Sequence, residues 1–267
     1  MPEPSIPSNV INFKFFMNIL ITGASSGVGK ELAKIYANKD NNLFLSGRNE
    51  KRLQEVKEFC QDLAALVNVQ IIDVCDQLAT RNWIKNIAKN HKIDLVIANA
   101  GISAGTDGGP ESFDQIQKIF KTNIDGVLNT IQPAIEIMKS QKSGQIALMS
   151  SLAGFRGLPS SPAYSASKSC VRVYGEALRG NLCALGIKVN VICPGYIKTP
   201  MTDVNSFPMP FLMSAEKAAG IIKDGLSKNR SRIAFPFPFY FIVWLATLLS
   251  NRIIDPIFKR LPGKSSL

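Results

Sequence analysis

The stretch from residue 18 to residue 38 constrains the fold more than any other part of the chain. An apolar run, Asn18–Thr22, has the length of a short strand and leads into a glycine-rich loop, after which Lys30–Asn38 follows a helical pattern. Glycines let a backbone approach a pyrophosphate closely, and a helix amino terminus presents free N–H groups and a partial positive charge. The succession predicts a phosphate-binding turn; the alternative is a loop that only reverses the chain. The predicted binding residues are Gly23, Ser25, Ser26, Gly27, Val28 and Gly29.

Strand-like and helix-like segments alternate along the rest of the chain. This alternation predicts an α/β fold with a doubly wound parallel sheet of about seven strands and helices on both faces. The predicted strands cover residues 18–22, 43–46, 69–74, 94–101, 145–151, 187–193 and 232–236. We expect one nucleotide-binding domain over residues 17–236, a flexible extension over residues 1–16 and an apolar helical tail over residues 237–267.

A tyrosine and a lysine stand four residues apart in a predicted helix over residues 162–185. Four residues is about one helical turn, so Tyr164 and Lys168 share a face. A free phenol has a pKa of about 10, and a nearby ammonium lowers it, which makes the pair a candidate general acid and base. Ser151 ends an apolar run and would face the crevice at the carboxyl ends of the strands. An exposed helix face is the alternative interpretation of the Tyr-x-x-x-Lys spacing alone.

Taken together, these motifs resemble the short-chain dehydrogenase/reductase family. The resemblance rests on Thr22-Gly-x-x-x-Gly27-x-Gly29 followed by Ser151 and Tyr164-x-x-x-Lys168. It implies a Rossmann-type fold and an oxidoreductase that interconverts a carbonyl and a secondary alcohol. In that family the serine hydrogen-bonds the substrate, the tyrosine transfers the proton, and the lysine lowers the tyrosine pKa and holds the nicotinamide ribose. An asparagine in the helix after the fourth strand, here Asn123, holds a water that relays the proton.

The end of the second predicted strand bears on the choice of cofactor. Arg48 stands there, and no carboxylate follows until Glu50. An arginine suits a 2′-phosphate, so the pattern favours NADP(H) over NAD(H); alternatively, Arg48 only starts the next helix. The family resemblance also places Asp73 beside the adenine, where capping of the following helix is the alternative. The remaining residues that the resemblance assigns to the cofactor are Asn49, Val74, Asn99, Ala100, Gly101, Tyr164, Lys168, Pro194, Gly195, Ile197 and Thr199.

Composition narrows the classes of function. The chain has one histidine, His91, which excludes a multi-histidine metal site, and no metal is expected. Its five dispersed cysteines are typical of a reducing compartment, so a cytoplasmic protein is expected. The formal net charge of +11 favours anionic partners such as phosphorylated cofactors or anionic lipid. No compact basic block with interleaved aromatic residues is present, and a nucleic-acid partner is not expected.

The last part of the chain is apolar and has basic flanks. The family resemblance places the substrate lid at residues 200–213. The methionines and phenylalanines of this segment suggest a hydrophobic, lipid-like ketone, but they could equally pack on a neighbouring subunit. The run 237–250 is shorter than the about 20 residues of a spanning helix. It suits a helix in a membrane interface, so residues 237–260 are a candidate peripheral contact with the inner face of a membrane. A cover over the pocket and a subunit contact remain open, and we expect a homo-oligomer, either a dimer or a tetramer.

Two other functions stay open on the same sequence. One is a different enzyme on this fold, an epimerase or a dehydratase, against which the glycine spacing and the lack of a large second domain argue. The other is a non-catalytic, membrane-associated NADP-binding regulatory protein. The presence of Asn123, Ser151, Tyr164 and Lys168 together favours an enzyme.

Overall fold

Nine strands form a large and a small sheet. The computed structural model describes residues 16–64, 66–205, 207–258, 264 and 266, so the predicted extension lies outside the described residues except for Phe16. The strands are β1 (Met17–Thr22), β2 (Asn41–Gly47), β3 (Leu66–Ile71), β4 (Leu95–Ala98), β5 (Gly144–Met149), β6 (Ile187–Pro194), β7 (Ile197–Lys198), β8 (Met213–Ser214) and β9 (Arg232–Phe235).

The large sheet has seven strands in the order β3-β2-β1-β4-β5-β6-β9, and every neighbouring pair is parallel. The predicted doubly wound sheet is confirmed. The strand order reverses between β1 and β4, and ligands bind such sheets at this switch point, outside the carboxyl ends of the strands. The third strand begins three residues earlier than predicted and ends at Ile71, because its pairing with β2 runs from Leu66 to Ile71.

Helices cover both faces of the sheet. They are α1 (Gly27–Tyr36), α2 (Glu50–Gln61), α3 (Gln77–Ala88), α4 (Phe113–Phe120), α5 (Gly126–Gln141), α6 (Pro162–Leu182), α7 (Pro200–Asp203), α8 (Ala215–Ser227), α9 (Phe237–Leu248) and α10 (Asn251–Phe258). The buried sides of α1, α2 and α8 form one apolar core, and those of α3, α5 and α6 form the other. The central strands between the two cores are buried on both faces, which explains their near-continuous apolar sequences, whereas the edge strand β3 is mostly exposed.

The predicted helix over residues 112–139 is not continuous. A five-residue π-helical segment, Lys121–Asp125, separates α4 from α5, and it contains Asn123. Periodicity could not reveal this segment, because one extra residue in a turn leaves the apolar pattern on either side almost unchanged. Such single-turn insertions are often found at functional sites.

The C-terminal segment forms two short helices. The inner side of α9 packs on a small apolar cluster beside the end of β6, through Phe239, Tyr240 and Val243. Its outer side leaves Phe237 and Leu248 exposed. Among the described residues, no helix is long and apolar enough to span a membrane.

Candidate active site

The turn between β1 and α1 is shaped by glycines that cannot be replaced. Gly23 has φ +67°, and an added Cβ there would lie 2.8 Å from the Cα of Ala100. A Cβ on Gly29 would overlap the carbonyl oxygen of Gly23. These two positions let α1 begin directly against the end of β4. The residue before α1, Ser26, makes no side-chain capping bond, so the helix start faces outward with free N–H groups.

A small hydrogen-bond network joins the glycine turn to the end of β4. The Nδ2 of Asn99 donates to the carbonyl oxygens of Thr22 and Gly23, at 3.0 and 3.1 Å. The hydroxyl of Thr22 accepts from the backbone N–H of Asn99 and of Ala100, at 3.2 and 3.3 Å. The side chain of Asn99 therefore holds the turn in shape from the side of the neighbouring strand.

A cleft of about 560 Å³ opens at the carboxyl ends of the strands, beside this turn. The predicted residues that line it are Gly23, Ser25, Ser26, Gly27, Val28, Arg48, Asn49, Asp73, Val74, Asn99, Ala100, Gly101, Ser151, Tyr164, Lys168, Pro194, Gly195, Ile197 and Thr199. Gly29 and Asn123 do not line it. The volume, the glycine cradle and the open helix start fit a dinucleotide.

Sequence reasoning missed several residues that line the same cleft. Arg52 lies in the first turn of α2, and the signal for it is a second arginine shortly after Arg48 at the end of the second strand. Thr122 lies in the same π-helical segment as Asn123. The other additional lining residues are Gly47, Ile72, Ile102, Met149, Ser150, Pro200, Met201 and Thr202, which reach the cleft through strand ends and loops.

Ser151, Tyr164 and Lys168 come together where β5 ends beside α6. The Ser151 hydroxyl hydrogen-bonds the Tyr164 phenol, accepts from the Ala153 N–H at 3.1 Å and lies 3.4 Å from the carbonyl of Pro194. The Lys168 Nζ lies 5.8 Å from the centre of the Tyr164 ring. It donates to the carbonyl of Met149 at 2.9 Å. The serine, the phenol and the ammonium thus lie close together on one wall of the cleft.

Burial, rather than the ammonium, sets the proton affinity of Tyr164. Burial raises the pKa of Tyr164 above its usual value of 10.0, and the hydrogen bond from Ser151 opposes that effect. Burial also lowers the pKa of Lys168 to about 8. Lys168 is not among the groups that shift the pKa of Tyr164, so the expectation that it lowers this pKa stays a prediction. The ammonium is 5.8 Å from the ring centre and is directed at Met149, so it does not offset the burial.

Asn123 is fully buried and fixes the loop after β4. Its Oδ1 accepts from the N–H of Ile102 at 2.8 Å. Its Nδ2 donates to the carbonyl of Ile102 at 2.9 Å and to the Ser167 hydroxyl at 3.0 Å. Both polar atoms of the Asn123 side chain therefore stabilise the wall beside Lys168. The proton-relay role stays a prediction.

Arg48 and Asp73 form an ion pair at the mouth of the cleft. Their side chains are 3.8 Å apart and both are more than two-fifths exposed, at 58% and 45%. Arg48 does not start the next helix, because α2 begins after Asn49, whose side chain caps it. Asp73 does not cap α3 either, since Asp76 does so. Burial acts to raise the pKa of Asp73, but hydrogen bonds from Cys75 and the charges of Arg48 and Lys121 outweigh it and lower that pKa.

An aromatic wall lies beside Gly195, a residue that lines the cleft, on the side of the C-terminal helices. The ring of Tyr196 stacks on Phe239 of α9 at 5.8 Å between centres, and Phe239 stacks on Phe211 at 6.1 Å. Gly195 leaves room for this contact, since an added Cβ would lie 3.1 Å from the Phe239 ring. The wall therefore combines the segment after β6 with α9.

Comparison with known proteins gives a consistent result. The family model described as short chain dehydrogenase matches residues 17–207. An uncharacterized oxidoreductase of Myxococcus xanthus is 34% identical over 247 residues, which are 92% of this chain and 98% of that protein. A 3-oxoacyl-(acyl-carrier-protein) reductase of Rickettsia conorii is 30% identical over 184 residues, which are 69% of this chain and 74% of that protein.

The solved structures agree on the fold. A short-chain dehydrogenase/reductase from Burkholderia phymatum in complex with NAD matches 93% of this chain and 97% of its own, with a TM-score of 0.77 and 22% identity. A short-chain type dehydrogenase/reductase from Mycobacterium marinum matches 82% of this chain and 92% of its own, with a TM-score of 0.74 and 25% identity. The chain thus belongs to the short-chain dehydrogenase/reductase family and is an NAD(P)-dependent oxidoreductase.

Proposed function

We propose that the protein is an NADPH-dependent reductase of hydrophobic ketones. One observation carries the proposal: Ser151, Tyr164 and Lys168 line the same cleft as the glycine turn. A bound nicotinamide would supply the hydride. The protein's own groups would hold the carbonyl, supply the proton and exclude water.

The proposed proton transfer starts from Tyr164. Its raised pKa keeps the phenol protonated at neutral pH, which suits a general acid that protonates the carbonyl oxygen as negative charge develops there. Ser151 would donate a hydrogen bond to the same oxygen. Lys168 would hold the nicotinamide ribose and place positive charge near the phenolate left after transfer, and Asn123 would sustain the resupply of the proton.

The preference for NADPH rests on two arginines at the mouth of the cleft. Arg48 and Arg52 both line it, and their guanidinium groups suit the two charges of a 2′-phosphate. The existing partner of Arg48 is a weak competitor, because exposed ion pairs such as Arg48–Asp73 contribute only about 0–1 kcal/mol.

The aromatic wall supports an apolar substrate. Tyr196, Phe211 and Phe239 stack on one another beside Gly195, which lines the cleft, and would contact the apolar part of a bound substrate. A long-chain acyl carbonyl or a keto-sphingoid base matches such a wall, and NADPH as donor favours reduction as the net direction.

The outer surface of α9 supports attachment to the inner face of a membrane from the cytoplasm. Phe237, Phe241 and Trp244 stack in sequence along it, and Leu245 and Leu248 extend the exposed apolar surface. With a net charge of +11, this surface suits an anionic lipid interface. Pairing of the same surface with a second copy, in a dimer or a tetramer, and a regulatory role without turnover are the competing outcomes.

Replacing Tyr164, the proposed general acid, should lower turnover without weakening cofactor binding. In Tyr164→Phe, kcat for ketone reduction should fall by about 10²–10⁴-fold because the proton donor is lost. The dissociation constant of NADPH, measured by fluorescence titration, should stay within about twofold. Full turnover by this variant with normal NADPH binding would refute the mechanism and favour the regulatory alternative.

The pKa shifts predict the pH dependence of reduction. Lys168, with a pKa of about 8, is charged below that pH, while Tyr164 keeps its proton well above it. For a neutral ketone, kcat/KM should therefore be level below about pH 7 and should fall as the pH rises through about 8. In Lys168→Arg the fall of kcat/KM should move to higher pH, since a guanidinium keeps its charge. A level profile up to about pH 9.5 in the unmodified protein would contradict this role.

The arginine at the mouth of the cleft should discriminate between the two cofactors. Arg48→Ala should weaken NADPH binding roughly tenfold or more through loss of a charged hydrogen bond, and should leave NADH binding within about twofold. The matched control, Arg81→Ala, removes a surface arginine that pairs with Glu136 and should change neither constant. Equal effects of Arg48→Ala on NADPH and NADH would show that Arg48 does not select the phosphate.

Vesicle flotation tests the outer surface of α9. The unmodified protein should float with phosphatidylglycerol–phosphatidylcholine vesicles, and the double variant Phe241→Glu, Leu248→Glu should not, because buried charge in the interface is costly. Leu78→Glu alters an equally exposed apolar residue, 69% exposed on α3, and should float normally. Absence of flotation by the unmodified protein, together with a change of oligomeric state in the double variant, would assign the surface to a subunit contact.

A further inference from the structure

A lysine from the end of the chain reaches the catalytic tyrosine. The Nζ of Lys264 lies 5.6 Å from the centre of the Tyr164 ring and donates to the hydroxyl of Ser103 at 2.6 Å. Ser103 lies in the loop that follows β4, two residues after Gly101 of the cleft. The ammonium of Lys264 is thus a second cation on Tyr164, separate from Lys168, which is directed at Met149.

The loop after β4 is shaped to receive this part of the chain. The carbonyl of Lys264 accepts from the N–H of Asp107 at 3.0 Å, and the N–H of Ser266 donates to the Asp107 carboxylate at 2.9 Å. The Ser266 hydroxyl also donates to that carboxylate. Gly105 provides the space, because an added Cβ there would overlap the carbonyl of Lys264. Several independent contacts therefore hold the Lys264 ammonium beside Tyr164.

The charge of Lys264 has no counter-ion in the described part of the chain. No described carboxylate lies within ion-pairing distance of its Nζ, and its contacts are one hydroxyl and one ring. Its partial burial disfavours the charged form, and burial lowers its pKa to about 8. Partly buried charges are ordinarily paired, so an anionic group is the missing complement.

We propose that Lys264 and Ser103 together bind a carboxylate of the substrate beside the reacting carbonyl. One ammonium and one hydroxyl supply two donors, which match the two oxygens of a carboxylate. This assignment rests on the proposed ketone reduction and specifies its substrate class. It narrows the hydrophobic ketones to oxo acids, in place of a keto-sphingoid base, which has no carboxylate. The apolar chain would lie toward the wall of Tyr196, Phe211 and Phe239, and the acid group would bind Lys264.

Calorimetric binding of 4-oxodecanoate and of its methyl ester tests the proposal without any requirement for turnover. Both ligands are titrated into the full chain with saturating NADP⁺ and, separately, with saturating NAD⁺. The unmodified protein should bind the acid about tenfold or more tightly than the ester, the size expected of a hydrogen bond to a charged group. Lys264→Met should bring that ratio close to one, and Lys264→Arg should retain most of it.

Two further variants control for indirect effects. Gly105→Ala should lower the ratio without altering the lysine, since the added Cβ displaces the chain at Lys264. Lys217→Met removes an exposed lysine of α8 and should leave the ratio unchanged. A ratio near one in the unmodified protein, or a ratio that Lys264→Met does not change, would overturn the proposal. These outcomes are independent of the Tyr164→Phe result, which decides the proposed reduction itself.

Discussion

The close contact between the glycine turn and the end of β4 is the constraint on which the rest of the site depends. Gly23 and Gly29 can hold no Cβ, and Asn99 bonds both Thr22 and Gly23 from the next strand. Because the start of α1, the bottom of the cleft and the loop after β4 meet there, a displacement in one is transmitted to the others. The two glycines allow the turn to approach the end of β4, and the side-chain amide of Asn99 holds the turn there. Both are needed to form the site.

The chemistry of the site depends on desolvation more than on paired charge. Burial raises the proton affinity of Tyr164 and lowers that of Lys168, so the pKa of the phenol lies above that of the ammonium, the reverse of their ordinary order. A phenol that holds its proton suits donation to a carbonyl. The same burial makes Lys168 sensitive to any anion brought close to it, because a charge in a medium of low polarity responds strongly to its neighbours.

Much of this could be predicted from the chain alone. The central strands follow from short apolar runs buried on both faces, and the cleft follows from motifs that lie at strand ends. The π-helical segment around Asn123 was not predictable, because its signal is one extra residue in a turn. The sign of the Tyr164 pKa shift depends on surrounding atoms that no local spacing reports. Ser103 and Lys264 are in contact although they are 161 positions apart in the sequence. No motif in the sequence links the two residues.

The helix α9 has two faces with different surroundings, and this has a consequence for experiments on the whole protein. Phe239 stacks on Tyr196, while Phe241, two residues on, is exposed. Beyond α9, Arg156 holds α10 through Asn251 at 2.5 Å and Asp255 at 3.7 Å. Detergents, fusion tags or surfaces that engage the outer residues act on the same short helix that carries the ring stacked on Tyr196. Kinetic constants should therefore be compared only within one medium.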